Sequence, residues 1–148
     1  MEVAAESARP IGVIAESPYR LPATPARNVL AVRGLPYRAV LPPAMWALNV
    51  LFGGGLASRQ FDRAGWAQRT ACPLLVLHGV EDEVCPVQDG RDVAAAVPRG
   101  QMVEIAGGHH NDLWTDPALA ARCAEAMRAF VRGLVQDPPR SVGLPMGP

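Results

Sequence analysis

CPLLVLHGVEDEVCP, residues 72–86, carries the clearest strand signal in the chain. The run LLVL contains no polar residue, which is typical of a strand that is buried on both faces of a sheet. Gly79 closes the run, and Asp82 lies at the centre of the three acidic residues in the segment that follows. The segment therefore predicts a buried strand over residues 72–78 whose carboxyl end leads into an acidic loop.

Outward from this strand, the chain alternates between strand and helix signals. Short apolar runs at residues 11–15 and 101–106 predict two further strands, and a helix is expected over residues 86–97. A last helix runs from Pro117 to residue 136, with Thr115 or Asp116 as its N-cap. The expected apolar stripe of this helix comprises Leu119, Cys123, Met127, Phe130, Val131 and Leu134. This order predicts the α/β class with parallel strands and right-handed crossovers.

A long insertion, about residues 21–69, separates the first two strands and contains many Pro and Gly residues. We expect one or two short helices there, laid over a site as a cap. Residues 39–58 carry no charge, but Pro42-Pro43 and Gly53-Gly54-Gly55 interrupt them and leave a helical core of residues 44–52. Such a core is too short to span a membrane. The tryptophans Trp46, Trp66 and Trp114 are expected to line a pocket or to pack in the core.

Composition restricts the class of protein. The chain has 148 residues, 49% of them hydrophobic, which fits one globular domain over residues 1–136 with a disordered tail over 137–148. A net charge of zero argues against a nucleic-acid partner. Three cysteines without paired spacing predict small buried side chains, and no signal peptide pattern is present, so we expect a cytoplasmic protein. All basic residues are Arg, which suggests a bacterial source.

Two loops that follow consecutive predicted strands carry the residues that could take part in catalysis. Asp82 follows the predicted strand of residues 72–78, and His110 lies in the segment GGHHND that follows the predicted strand of residues 101–106. A helix between two parallel strands returns both loops to one edge of the sheet. There a carboxylate can accept the Nδ1 proton of an imidazole and leave Nε2 to activate a nucleophile. The alternative is a solvated acid and a surface histidine, and we interpret Glu81 and Glu83 as solvated acids.

A metal site is the second chemical alternative for these loops. It would draw on His78, Asp82, His109, His110 and Asp112. Adjacent histidines on one loop rarely converge on one ion, and no HxH, HxxxH or HxxEH spacing is present. We therefore predict no metal and no cofactor, and interpret His78 as structural.

Four segments resemble, in order, those of one family. They are IGVIAESPYR (11–20), DRAGWAQRTACP (62–73), CPLLVLHGVEDEVCP (72–86) and IAGGHHNDLW (105–114). They are similar to the strand before the lid, the approach to the acid strand, the acid strand and the histidine loop of α/β-hydrolases. The last resembles the histidine loop of the serine aminopeptidase-like and Bem46-like branch. The resemblance implies a partial α/β-hydrolase fold with three C-terminal parallel strands, flanking helices and a helical lid-like insertion.

The resemblance also implies roles for individual residues. Asp82 corresponds to the catalytic acid of a Ser-His-Asp triad, and alignment on Asn111-Asp112 makes His110 the catalytic histidine. His109, Asn111, Asp112 and Trp114 become candidates for lining the site. The implied activity is hydrolysis of an ester, thioester or amide bond in a small-molecule or peptide-like substrate, without a cofactor.

No serine of the chain fits the family's G-x-S-x-G nucleophile elbow. Ser7, Ser17, Ser58 and Ser141 all lack the motif, and Glu16 and Pro18 flank Ser17. Residues 2–8 resemble the end of the helix that leaves the elbow, so we expect a truncated chain whose nucleophile is encoded upstream. We also expect the strand of residues 11–15 to leave an unpaired edge that promotes association, and the chain alone to be inactive.

Two rival hypotheses remain open at this point. The chain is either part of a serine hydrolase or a non-catalytic remnant or binding protein with the same fold. A third possibility keeps the fold with an Asp nucleophile, as in dehalogenases and epoxide hydrolases; the HND segment favours serine. The insertion carries no recognisable specificity signature, and the sequence specifies neither the substrate nor the oligomeric state.

Overall fold

A computed structural model describes residues 12–51 and 61–136 of the chain. Three features of the sequence analysis lie outside these ranges: the predicted helix end at residues 2–8, the predicted disordered tail at 137–148, and Gly53-Gly54-Gly55. Within them the predicted order of strands and helices is confirmed.

The described residues form a three-stranded parallel sheet in the order β1-β2-β3. β1 spans Val13–Glu16, β2 spans Leu74–Gly79 and β3 spans Gly100–Ile105, each within two residues of its predicted bounds. Gly79 at the end of β2 pairs with Ile105 at the end of β3. The loops that leave these two strands therefore begin at the same level of the sheet.

The central strand β2 is buried on both faces, as its apolar run predicted. Its side chains alternate between two clusters. One cluster joins Leu74 and Val76 to Ala64, Ala67, Val93, Ala94 and Val97. The other joins Leu75 and Leu77 to Ile105, Leu113, Cys123 and Phe130. Burial of a Leu or Val side chain stabilises a fold by about 1.5–3 kcal/mol, so β2 contributes more to the core than either neighbour.

β1 differs from its prediction as a fully buried strand. Its residues alternate between half-buried and exposed, with Ile14 and Glu16 pointing to the open side. The reason is its position: β1 is an edge strand, and the last helix packs mainly on β2 and β3 while reaching Gly12 just before β1. The unpaired edge expected for this strand is confirmed among the described residues.

Two helices cover opposite faces of the sheet. α4, Val87–Ala95, is shorter than predicted and starts after Pro86; α5, Pro117–Gln136, has its predicted bounds. Asp116 is the N-cap of α5, since its Oδ1 accepts hydrogen bonds from the amides of residues 118 and 119. Val131 was wrongly placed in the buried stripe, because its side chain is half-exposed beyond the edge of the contact with the sheet.

The insertion contains three helices in its described part, rather than one or two short ones. α1 spans Ala23–Val32, α2 spans Tyr37–Leu51 and α3 spans Arg63–Ala67. The prediction that Pro42-Pro43 would end a helix was wrong, because α2 runs through both prolines. Their fixed φ is compatible with a helix, and the carbonyls of residues 38 and 39, which lose their donors, belong to exposed residues that water can reach. None of the described helices combines the length and apolar character needed to cross a bilayer.

The two ends of the insertion are tied together beside α4. The guanidinium of Arg20 donates to both carboxylate oxygens of Asp62 at 3.1 Å and to Asp92 at 3.0 Å, while its amide donates to Asp89. The Arg20 side chain is partly exposed, so its ion pairs contribute little electrostatic free energy, and their main effect is to fix the positions of the segments they join. We call this cluster the neck clamp.

Ser17, which follows β1, has a left-handed backbone conformation with φ of 38°. Its amide continues the ladder to the carbonyl of Leu77, whereas its hydroxyl is buried and has no hydrogen-bond partner among the described residues. A non-glycine residue in this conformation costs about 1–2 kcal/mol, and a buried unsatisfied hydroxyl adds a further cost. The turn from β1 into the insertion is therefore strained at Ser17.

Replacing Ser17 with Gly should stabilise the fold by about 1 kcal/mol, since it relieves the strain and removes the orphan hydroxyl at the cost of some backbone entropy. Urea unfolding at low protein concentration measures the effect. Ser17→Ala, which removes only the hydroxyl, should fall between the wild type and the Gly variant. Loss of stability in both variants would mean that the hydroxyl has a partner in solution.

Candidate active site

The acid loop, residues 80–86, and the histidine loop, residues 106–116, leave β2 and β3 side by side. Two backbone hydrogen bonds join them: the amide of Val80 donates to Ile105, and the amide of Glu81 donates to Gly108. A side chain at Gly79 would overlap the Gly108 carbonyl group, so only glycine allows this approach. The two loops are thus held side by side where β2 and β3 end.

Asp82 and His110 meet across these loops. Oδ2 of Asp82 lies 2.9 Å from Nδ1 of His110. Because a carboxylate only accepts, Nδ1 carries the proton and Nε2 of a neutral ring carries the lone pair. Within the described residues Nε2 has no hydrogen-bond partner, and about a quarter of the side chain is exposed. The arrangement therefore holds an oriented imidazole with its basic nitrogen free.

The Asp82 carboxylate is buried and fully occupied by donors. Its Oδ1 accepts from the amides of Val84 at 2.9 Å and Cys85 at 2.7 Å. Burial would raise the pKa of Asp82, but the bonds from His78, His110 and these two amides outweigh it and hold the pKa well below its usual range. Asp82 therefore stays ionised and can stabilise a positive charge on His110.

His78 supports the acid loop from inside the core. Its ring is fully buried, and Nε2 donates to the carbonyl of Cys85 at 2.8 Å while lying 3.5 Å from Asp82. Nδ1 is buried without a partner, and it faces Gly90 of α4 so closely that a Cβ there would overlap it. The interpretation of His78 as structural agrees with this burial, although its contact with the carboxylate was not foreseen.

Cys85 belongs to the only group among the described residues whose ligand atoms could converge on a metal, together with Asp82 and His110. The three atoms lie within 4.8 Å of one another. Burial raises the pKa of the Cys85 thiol to about 12, however, and both Asp82 oxygens already accept hydrogen bonds. A protonated thiol is a poor metal ligand, so the donor set fits the hydrogen-bonded pair better than an ion.

No disulfide joins the three cysteines, all of which lie in the described ranges. The prediction of buried thiols is confirmed for Cys85 and Cys123, whereas Cys72 is partly exposed.

Solved structures provide the comparison, because no family model and no curated protein matches the chain. A thermophilic esterase from Thermogutta terrifontis matches 83% of this chain with 20% identity and a TM-score of 0.52. A candidate non-heme bromoperoxidase from Mycobacterium tuberculosis matches 81% with 19% identity and a TM-score of 0.50. The chain carries part of the α/β-hydrolase fold. It spans 56% and 58% of the length of these two structures.

Within this α/β-hydrolase fold, His109 points away from the pair that its neighbour forms. Its exposed ring lies 3.2 Å from Glu83 and 3.7 Å from Glu81, and its amide donates to Asp112 at 2.7 Å. The hydrogen bond that the His109 ring donates to the Glu83 carboxylate raises the pKa of His109. The predicted solvent exposure of the two glutamates is confirmed, and His109 and Asp112 brace the loops from outside.

The other candidate lining residues occupy the outer part of the histidine loop. Asn111 is exposed and makes no hydrogen bond with another described side chain, whereas the indole N–H of Trp114 donates to Glu16 at 2.5 Å. The second contact ties the histidine loop to the end of β1. Whether either residue meets a substrate stays a prediction.

The structure adds a residue to the site region that the sequence did not reveal. Nδ2 of Asn28 on α1 donates to the carbonyl of Val84 at 2.8 Å. The amide of Val84 binds Asp82, so this bond links the insertion to the acid loop that holds the carboxylate. An asparagine within a helix has no sequence signal for such a distant partner.

Ser17 is the described serine near the strand ends, and its hydroxyl is buried with no partner, so it is not hydrogen-bonded to His110. Ser7, Ser58 and Ser141 lie outside the described residues. The described part of the chain therefore contains an acid and a histidine in contact, without a serine bonded to them.

Asp82→Asn should destabilise the protein at neutral pH, because the charged acceptor is lost. A carboxylate with a lowered folded pKa stabilises the fold fully above its unfolded pKa, near 3.8, and loses that contribution as the pH falls toward the folded value. The stability difference between wild type and Asp82→Asn, measured by urea unfolding, should therefore shrink below about pH 4. The matched control is Asp116→Asn, because an asparagine side chain can still cap the N-terminus of α5. A difference that stayed constant with pH would contradict the low pKa.

Gly90→Ala should destabilise the fold by about 1–3 kcal/mol, because its methyl group would press on the buried His78 ring. Gly133→Ala on α5 is the matched control: nothing lies near its Cβ position, so it should stabilise the helix by up to about 1 kcal/mol. Thermal unfolding distinguishes the two variants. Equal effects would mean that the His78 ring has room to move.

Proposed function

We propose that Asp82 and His110 are the acid and the histidine of a Ser-His-Asp hydrolase centre. The observation that carries the proposal is the 2.9 Å contact between them at the carboxyl ends of two parallel strands. Functional groups in open α/β sheets collect at this edge. The proposed substrates are esters, thioesters or amides of small or peptide-like molecules, and the proposed setting is the bacterial cytoplasm.

The geometry suits the two proton transfers of such a reaction. Asp82 fixes the Nδ1–H tautomer, so Nε2 of His110 can take the proton of a serine hydroxyl as that oxygen attacks the carbonyl carbon. His110 then returns the proton to the leaving group, and a water molecule repeats the sequence on the acyl-enzyme. The buried Asp82 carboxylate stabilises the imidazolium in both steps.

The proposed nucleophile is a serine outside this sequence. Two observations support that: no G-x-S-x-G is present in the chain, and the match covers only 58% and 56% of the two solved structures. The buried Ser17 hydroxyl is inaccessible to a substrate. We infer that the acid–histidine pair acts on a serine, and with oxyanion donors, that residues preceding this segment would supply.

The chain as given should not hydrolyse p-nitrophenyl acetate above the buffer rate. Extended by the residues encoded in frame upstream, it should do so if they contain an elbow. Asp82→Asn and His110→Gln in that longer chain should each reduce kcat by about a thousandfold or more. His109→Gln should leave kcat within about threefold, since His109 braces the loops from the surface.

Two results would count against the proposal. Turnover by the chain as given that His110→Ala abolishes would place a nucleophile inside it. Full activity of the longer chain after His110→Gln would remove His110 from the mechanism. A stop codon directly upstream, with initiation at Met1, would favour the non-catalytic remnant.

A further inference from the structure

The insertion differs in charge from the rest of the chain. Residues 21–61 contain four arginines and no aspartate or glutamate, so all 14 acidic residues lie elsewhere. The first acid after this stretch is Asp62, which the neck clamp pairs with Arg20. The insertion is therefore a locally cationic segment in a protein of zero net charge.

The cationic groups of the described insertion are available at its surface. Arg27, Arg33 and Arg38 on the hairpin formed by α1 and α2 are exposed, and none has a carboxylate partner among the described residues. Elsewhere in the chain, the exposed Arg91 is paired with Glu104 at 2.8 Å. Arg27 donates to the side-chain oxygen of Asn28 and Arg38 lies over the Tyr37 ring, so the hairpin presents guanidinium groups whose charge no described carboxylate neutralises.

The same hairpin exposes an apolar face. Ala39, Pro43, Trp46 and Val50 lie at i, i+4, i+7 and i+11 on α2, so they share one side of the helix, and all are exposed. Trp46 is 68% exposed.

Val32 and Leu35, at the end of α1 and in the turn between the helices, are also exposed, and Arg33 and Arg38 are close to them in sequence. Several large apolar side chains exposed on one hairpin are typical of a surface that binds something.

We propose that the α1–α2 hairpin docks on an anionic phospholipid surface. Trp46 and its neighbours on α2 enter the boundary between headgroups and acyl chains, where tryptophan is favoured. Arg33 and Arg38 lie at the level of the lipid phosphates and bind them. The hairpin lies on the membrane and does not cross it.

The charges argue against other occupants of this face. A symmetric dimer would bring the same arginines of two copies together, with no acidic residue in the hairpin to pair with them. A specific protein partner would need polar groups for directional hydrogen bonds on the apolar face itself, and its residues Ala39, Pro43, Trp46 and Val50 supply one such side-chain group, the indole N–H of Trp46. A lipid surface requires neither.

Docking is compatible with the rest of the fold. No residue of α1 is buried, and the hairpin reaches the sheet through the Asn28–Val84 bond and the neck clamp at its base. None of the residues proposed to contact lipid belongs to the Asp82–His110 pair. The inference does not rest on the proposed hydrolase activity.

Vesicle binding tests the proposal. Monomeric chain from size exclusion is mixed with vesicles of equal parts phosphatidylglycerol and phosphatidylcholine, or of phosphatidylcholine alone, and bound protein is measured by co-sedimentation. The anionic vesicles should bind more strongly, and added salt should weaken the binding. Arg33→Gln with Arg38→Gln should weaken it about thirtyfold. Arg128→Gln with Arg132→Gln on α5, the control with the same change of charge, should leave it within about twofold.

Insertion of Trp46 is tested with phospholipids brominated on their acyl chains, which quench a nearby indole. Trp46→Phe should remove most of the quenchable fluorescence and retain binding. Equal binding to neutral vesicles, or equal loss in the α5 control, would overturn the proposal. So would a dimer that dissociates on Trp46→Ala, or binding to an acidic peptide in place of lipid, since each names another occupant.

Discussion

The burial of one carboxylate determines how the candidate site is built. An ionised group under the surface is tolerated only if donors replace the water that it loses. Asp82 accepts hydrogen bonds from two amides of its own loop and from His110 of the next loop, and the buried His78 ring lies 3.5 Å from it. Any movement of either loop would leave part of this charge unsatisfied, so the need to satisfy Asp82 also fixes the orientation of His110.

The sheet makes this arrangement possible without contributing a functional side chain. β2 and β3 end at the same level, and glycines at their ends let the two loops touch through their backbones. The insertion makes a different contribution, since it carries exposed arginines and exposed apolar side chains on the α1–α2 hairpin. In our two proposals, chemistry and surface recognition therefore belong to separate parts of one chain.

The sequence predicted those features that arise from short-range patterns. The apolar run of β2, the N-cap at Asp116 and the acid and histidine at strand ends each follow from local residue types, and the structure places them as expected. Features that depend on distant neighbours were missed. The bond from Asn28 to Val84 joins residues 56 apart in sequence, and the left-handed Ser17 has no marker in its side chain. α2 was mispredicted because exposure, which sequence alone does not reveal, decides whether a helix tolerates two prolines.

The neck clamp has a consequence for how such a protein can diversify. Arg20 and Asp62 bring the entry and the exit of the insertion to one point beside α4. The segment between Arg20 and Asp62 therefore begins and ends at one point, so its length and sequence can change while β1 and β2 keep their register. Insertions of different shape can thus be exchanged at this point while the acid–histidine pair stays unchanged.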